Sequence, residues 1–298
     1  MSTQSNRLSI DSATTSASAQ EADELPRRPF VIIEASRGWR AINLRELWVY
    51  RELLYLLIWR DIKVRYKQTL LGVAWVVLQP VLTTLVFTVF LGILLRVPTN
   101  GPPYLLFVYS GLLMWIFFSS AITTSGISLV GNAQLLTKVY FPRALLPVAA
   151  VAARLMDFAI GFVILILLMF FYGVRPTSSL FLLPVLVALM ILLALAVGMI
   201  ASALNVKYRD VGVLIPVLLH LWMYASPVVY PASLVPGRWR QLYELNPMAG
   251  LIGGFRTAVL GGPINWTSLA VSAAVIIGLL IIASIQFRRM ENQFADVI

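Results

Sequence analysis

The stretch YLLFVYSGLLMWIFFSSAITTSGISLV, residues 104–130, decides the fold: it runs for 27 residues without one Asp, Glu, Lys, Arg or His. Crossing the hydrocarbon core of a bilayer takes about 20 apolar residues in a helix, which satisfies its own backbone polar groups where no water can. Five further stretches meet or approach that length, residues 69–95, 144–172, 177–203, 211–230 and 264–287. The composition agrees: 59% of the 298 residues are apolar and 12% charged, against about 45–50% and about 25% in soluble domains. The chain reads as an all-α polytopic membrane protein, with six transmembrane helices in one domain at residues 69–287.

An even number of crossings puts both ends of the chain on one side. Of the 23 Lys and Arg residues, 17 fall on the side of the termini and five on the other, with Arg154 inside a span. Arg60, Lys63, Arg65 and Lys67 lie directly before the first span, where basic residues set orientation most strongly, so both termini are expected in the cytoplasm. The net charge of +10 then reads as topology and membrane surface, with no nucleic acid partner. Residues 1–30, rich in Ser, Thr, Ala and Gln, are expected to be a disordered cytoplasmic tail. They hold no apolar core of a cleavable signal peptide. Residues 288–298 form the cytoplasmic C-terminus.

Four segments stand outside the plain spans. Residues 31–68 form a cytoplasmic segment that ends in an amphipathic interface helix at 44–68. There Leu44, Leu47, Trp48, Leu54 and Ile58 recur at spacings of three and four, with Arg45, Glu46, Arg51 and Glu52 between them. The cations at its end serve either as a topological anchor or as a seat for the phosphate of a lipid-linked substrate. The loop GNAQLLTKVYFPR, residues 131–143, holds a short helix ended at Phe141-Pro142, because the residue before proline is pushed out of helical geometry. It turns Lys138, Val139, Tyr140 and Phe141 toward the cytosol, which fits docking to a cytosolic partner or residence in the interfacial aromatic belt. Arg209 and Asp210 read as an exposed structural pair, worth at most about 1 kcal/mol. SPVVYP, residues 226–231, breaks the fifth span, and the apolar runs that follow at 246–255 and 257–260 are too short to cross. Re-entrant helices on the outer side fit them better than a surface loop.

Several chemistries are absent. Without cysteine, with one histidine and with no G-x-x-x-x-G-K-[ST] motif, the chain has no thiolate site and no cradle for ATP phosphates by that motif. Outside the tails and the interface helix its acids are Asp157, Asp210 and Glu244, so the carboxylate pair of a glycosyl-transferring enzyme is missing on the outer side. The chain is read as a non-enzyme. Arg154 and Asp157, three residues apart on one helical face, pair with each other or mark an ion path. His220 reads as a hydrogen-bonded core histidine rather than a proton relay.

This order of features resembles the permease subunit of type-2 ABC exporters for O-antigen, capsular polysaccharide and teichoic acid. It is carried by the interface helix, six spans, LTKVYFPR (136–143), Tyr208-Arg209-Asp210, SPVVYP (226–231) and Asn246-Pro247, over residues 40–290. The resemblance implies a homodimer in the cytoplasmic (inner) membrane of a bacterium, bound to two copies of a separate ABC ATPase that holds ATP and Mg. This chain itself would bind no cofactor or metal. By the same resemblance Lys138, Val139, Tyr140, Phe141 and Arg143 match the helix that couples to the ATPase. Arg60, Lys63, Arg65 and Lys67 match the gate that receives the pyrophosphate of an undecaprenyl-linked polysaccharide. The first and fifth spans line the dimer channel, where Phe87, Phe90, Trp222, Tyr224 and Tyr230 could offer aromatic faces to sugars. The same rings also fit core or lipid-facing roles. An ABC permease for a small amphipathic drug or peptide and a proton-coupled secondary transporter remain as alternatives.

Overall fold

The computed structural model describes residues 48–67, 73–99, 101–175 and 177–291, and the expected tail at 1–30 together with Leu44 and Leu47 lies outside them. Every regular element among the described residues is helical. Helix α1 (Arg51–Lys67) precedes α2 (Val73–Phe87), which continues as a π-helical stretch (Thr88–Leu94); α3 (Tyr104–Gly131) and the short α4 (Ala133–Lys138) follow. Then come α5 (Leu145–Phe171), a 3-10 turn (Ser178–Leu182) leading into α6 (Leu183–Lys207), α7 (Val211–Tyr224), α8 (Gly237–Glu244), α9 (Pro247–Leu260) and α10 (Trp266–Glu291).

Five of these are long and apolar enough to cross a bilayer: Ala74–Leu94, Tyr104–Gly131, Leu145–Phe171, Ser178–Lys207 and Trp266–Glu291. They coincide with five of the six charge-poor runs. The expected fifth span at 211–230 is helical only over the 14 residues of α7, about 21 Å at 1.5 Å per residue. The helix ends at Tyr224, capped by Ala225, just ahead of Ser226-Pro227, and the chain then turns with the Val228 N–H donating to the Ser226 carbonyl.

Helix α3 is the axis of the fold. Its apolar residues point in all directions, and a helix of that kind is buried. It packs against α2, α5, α6, α7 and α9, and Leu106, Val108, Met114, Phe118 and Ala121 are fully enclosed. Small residues allow the close approach that helices in lipid depend on. A Cβ placed on Gly198 of α6 would lie 2.6 Å from the Ser125 hydroxyl of α3. One on Gly250 of α9 would meet the Ser272 hydroxyl and lie 2.6 Å from the Ser268 carbonyl of α10. Gly250→Val is therefore expected to force α9 off α10 and to lower the thermal unfolding temperature of the detergent-solubilised protein. An unchanged melt would mean that the contact yields.

Helix α1 departs from the single apolar face expected of it. Leu57 is buried and Leu53, Leu54 and Ile58 pack beside it on a cluster that holds Leu129, Leu145 and Leu146, whereas Trp48, placed on the same stripe, is exposed. Tyr55, Leu56 and Trp59 form a second apolar surface facing away from the protein. The helix thus packs on α5 along one side and offers aromatic and aliphatic groups to the surroundings along the other.

Candidate functional site

The four cations at the end of α1 are not equivalent. Arg60 pairs with its neighbour Asp61 at 2.8 Å, and the Lys63 ammonium lies 5.3 Å from the centre of the Trp59 ring. Arg65 reaches Asp157 of α5 at 3.0 Å. Lys67 is exposed and has no ion pair among the described residues. Asp157 is the hub of this region. Its Oδ2 also lies 3.3 Å from Arg154, and its Oδ1 accepts a 2.5 Å hydrogen bond from the Tyr66 hydroxyl. Arg154 in turn donates from Nε to Thr124 Oγ1 on α3 at 3.3 Å. Burial, then the bond to Asp157 and its charge, push the Tyr66 phenol above its ordinary range, so the group stays a donor. The Arg154–Asp157 pair follows from the i,i+3 spacing. Its extension to Arg65 and Tyr66 does not, although an acid at this depth needs cations and the basic end of α1 supplies the nearest ones.

The loop after α4 divides the residues matched to ATPase coupling. Lys138, Val139 and Tyr140 are exposed, Tyr140 by 73%. Phe141 is 5% exposed and belongs to the buried cluster with Leu129, Leu145 and Phe287. Pro142 turns the chain, after which the Arg143 backbone N–H donates to Glu291 Oε1 at 3.4 Å and its guanidinium to the Glu291 carbonyl. Phe141 and Arg143 thus fasten the loop to the C-terminal end of α10, and the outward-pointing part is Lys138-Val139-Tyr140.

At the opposite end of the helices, Asn246 caps α9: its Oδ1 accepts from Met248 N–H at 3.1 Å and from Trp222 Nε1 at 3.0 Å. Its Nδ2 donates to the Ala225 carbonyl and to Ser226 Oγ. Arg256, which the sequence marked only as an outer-side cation, is buried in α9. It donates to the carbonyls of Phe107, Pro227 and Val228, and its guanidinium lies 3.6 Å from the centre of the Phe107 ring. The non-helical stretch after α7 is therefore held by Asn246 at Ala225 and Ser226, by Arg256 at Pro227 and Val228, and by the Tyr104 hydroxyl, which donates to the Val229 carbonyl at 2.8 Å.

The five aromatic residues matched to the channel separate as well. Phe90 and Tyr224 are exposed, while Phe87 packs partly into the core. Trp222 stands edge-on to Phe118 with centroids 5.2 Å apart, and the Tyr230 hydroxyl donates to the Tyr224 carbonyl at 2.9 Å. Trp222 and Tyr230, with Leu234, Trp239 and Tyr243, line a cavity of about 670 Å³. His220 is not a core residue: it is exposed on α7, with Nδ1 2.7 Å from the Pro216 carbonyl.

The sequence pattern of ABC-2 type transporters matches residues 52–260, from α1 to the end of α9. The chain belongs to the ABC-2 type transporter family. It is 34% identical over 258 residues to the O-antigen export system permease protein RfbA of Myxococcus xanthus, covering 86% of this chain and 98% of that relative. It is 27% identical over 248 residues to a protein of the same name from Klebsiella pneumoniae, covering 83% of this chain and 95% of the relative. To the polysialic acid transport protein KpsM of Escherichia coli it is 23% identical over 231 residues, covering 74% and 88% respectively. Within this ABC-2 chain the family match takes in the Asp157 hub, the α4 loop and the Arg256 anchor together.

Proposed function

We propose that the chain is the membrane conduit of an ATP-driven exporter that carries a polysaccharide, linked to undecaprenyl diphosphate, across the cytoplasmic membrane. The observation that carries this reading is the nearly end-to-end similarity to an O-antigen export permease. In this reading two copies form the channel, both termini are cytoplasmic, and α7 is the fifth of six crossings. The six-span layout draws support from Arg256. Non-helical backbone at membrane depth is tolerated when protein satisfies it, and Arg256 satisfies two of the carbonyls that follow α7. Helix α9, which joins the two short apolar runs expected at 246–255 and 257–260, is then the re-entrant element. α9 is apolar and almost wholly buried inside the protein, whereas α7, of the same 14-residue length, turns Val213, Leu218 and Leu221 outward.

The chain carries no P-loop motif, so ATP and Mg belong to a separate ATPase, two copies per dimer, that docks on Lys138, Val139 and Tyr140. Helices α2 and α7 turn apolar faces outward, with Leu82, Val86, Phe90 and Ile93 on the first stretch and Leu218, Leu221 and Tyr224 on the second. They are the surfaces that the second copy and the glycan would share. ATP binding closes the ATPases, the docking loops move with them, and the strap from Phe141 and Arg143 passes that motion to α10.

The test is reconstitution with the ATPase. A lipid-linked glycan should stimulate ATP hydrolysis, and Lys63→Glu with Lys67→Glu should abolish the stimulation while leaving basal hydrolysis intact. At about 1 kcal/mol per unit charge near an anionic surface, two Lys→Glu reversals change four charges, so the half-stimulating concentration should rise roughly a thousandfold, beyond any working range. Normal stimulation would reduce α1 to an anchor. Transport by the chain alone under a proton gradient would replace this reading with a secondary transporter.

A further inference from the structure

We propose that the cavity beside α8 holds one acyl chain of an anionic phospholipid of the outer leaflet, whose phosphate rests on Arg238 and Arg240. The inference rests on the proposed layout in one respect, that α8 lies on the outer side of the membrane.

The walls of the cavity are the first argument. Its volume of about 670 Å³ is usual for a ligand site, and Leu234, Val235, Leu242 and Leu245 make its sides aliphatic. A sugar site adds to its rings a few free polar groups that fix orientation, and here those groups are spent inside the protein. The Trp222 N–H donates to Asn246 Oδ1, and the Asn246 amide donates to the Ala225 carbonyl and to Ser226 Oγ. The Tyr230 hydroxyl donates to the Tyr224 carbonyl, and the Tyr243 hydroxyl is enclosed beside Tyr230. What faces the cavity is hydrocarbon and ring surface.

Depth is the second argument. Trp222, Tyr230, Trp239 and Tyr243 bring four amphipathic rings to one cavity, and such rings gather where a bilayer meets water. On α8, Trp239, Leu242 and Tyr243 recur at spacings of three and four and line the cavity, with Gln241 on the opposite face. Trp239, Leu242 and Leu245 are each more than half exposed, an apolar surface that a lipid chain would cover.

Charge is the third. Arg238 and Arg240 flank the lining face, about 100° to either side of Trp239. Arg240 pairs with Glu244 at 3.4 Å, whereas Arg238, 5.9 Å from the centre of the Trp239 ring, has no ion pair among the described residues. Planar guanidiniums at the rim of an apolar cavity suit a phosphate above a hydrocarbon chain. A chain seated there joins α8 to the last turn of α7 at Trp222 and to the start of α9 at Pro247.

The test uses the full chain in nanodiscs of phosphatidylcholine doped with phosphatidylglycerol that carries a diazirine at the end of one acyl chain. Photolabel should concentrate on residues 234–247 relative to the outward faces of α2 and α7. Ala225→Trp, which fills the cavity from its floor, should abolish that excess without lowering the unfolding temperature. Arg238→Glu should weaken labelling by phosphatidylglycerol roughly thirtyfold at low salt, and far less with a phosphatidylcholine probe. Wild-type labelling without an excess at 234–247 overturns the proposal, as does an excess that survives Ala225→Trp. Displacement by undecaprenyl phosphate but not by unlabelled phosphatidylglycerol also overturns it, and gives the cavity to a polyisoprenyl tail.

The chain has no cysteine, so single-cysteine variants settle the remaining occupant and the layout. Trp239→Cys should stay a free thiol; a disulfide between two copies overturns the proposal in favour of a second copy over the cavity. Gln241→Cys should react with a membrane-impermeant maleimide in right-side-out vesicles. If it reacts only from the cytoplasmic face, the proposed layout fails and the outer-leaflet site with it. If it reacts from outside while the photolabel shows no excess, only the lipid site fails.

Discussion

Replacing Tyr140 with aspartate is expected to uncouple ATP hydrolysis from export with little effect on folding. Tyr140 is 73% exposed at the tip of the α4 loop, so it contributes little to the packed core, and the substitution removes the aromatic group that the proposed ATPase contact would use. Losing an aromatic anchor of an interface costs about 2–4 kcal/mol, so the affinity for the ATPase should fall by a factor of roughly thirty to a thousand. Phe141→Ala should do the reverse. Its side chain is 5% exposed, and truncating a buried phenylalanine costs about 3–5 kcal/mol. That loss would appear as a lower unfolding temperature before any change in docking. Measuring ATPase co-purification and thermal unfolding for both variants separates the two roles. Normal export with Tyr140→Asp would remove the docking assignment.

Arg256→Met should be the most damaging single change on the opposite side. The guanidinium supplies donors to the carbonyls of Phe107, Pro227 and Val228, and methionine supplies none. At about 1–3 kcal/mol for each buried group left unpaired, the loss is several kcal/mol, enough to prevent accumulation of folded protein at growth temperature. Arg256→Lys should recover only part of it, since one ammonium cannot reach three carbonyls in a planar fork. The readout is monodispersity and unfolding temperature in detergent. A methionine variant that melts with the wild type would show that water or a relaxed backbone satisfies those carbonyls.

The reach of the sequence is visible element by element. The runs at 104–130, 144–172 and 264–287 appear as Tyr104–Gly131, Leu145–Phe171 and Trp266–Glu291, because a charge-free run of that length in lipid has no alternative to a helix. The Arg154–Asp157 pair, now at 3.3 Å, was legible because helical periodicity alone brings such residues together. The end of α7 was not. Apolar composition continued through Val228, Val229 and Tyr230, and the helix stopped just ahead of Ser226-Pro227, where a distant arginine could satisfy what followed. Likewise Phe141 and Tyr140, adjacent and similar in character, point to opposite sides because Pro142 turns the chain toward the end of α10.

By itself the sequence determined residence in the membrane, the places of the long helices, the location of the basic cluster and the lack of a P-loop motif. Each of these follows from local composition and spacing, to which distant residues contribute nothing. The tertiary structure decided which cations already have a carboxylate, which aromatic rings are exposed, and that Arg256 holds the stretch after α7. These depend on contacts such as Arg65 with Asp157 and Arg256 with Phe107, between residues that only the packing around α3 brings within hydrogen-bonding distance.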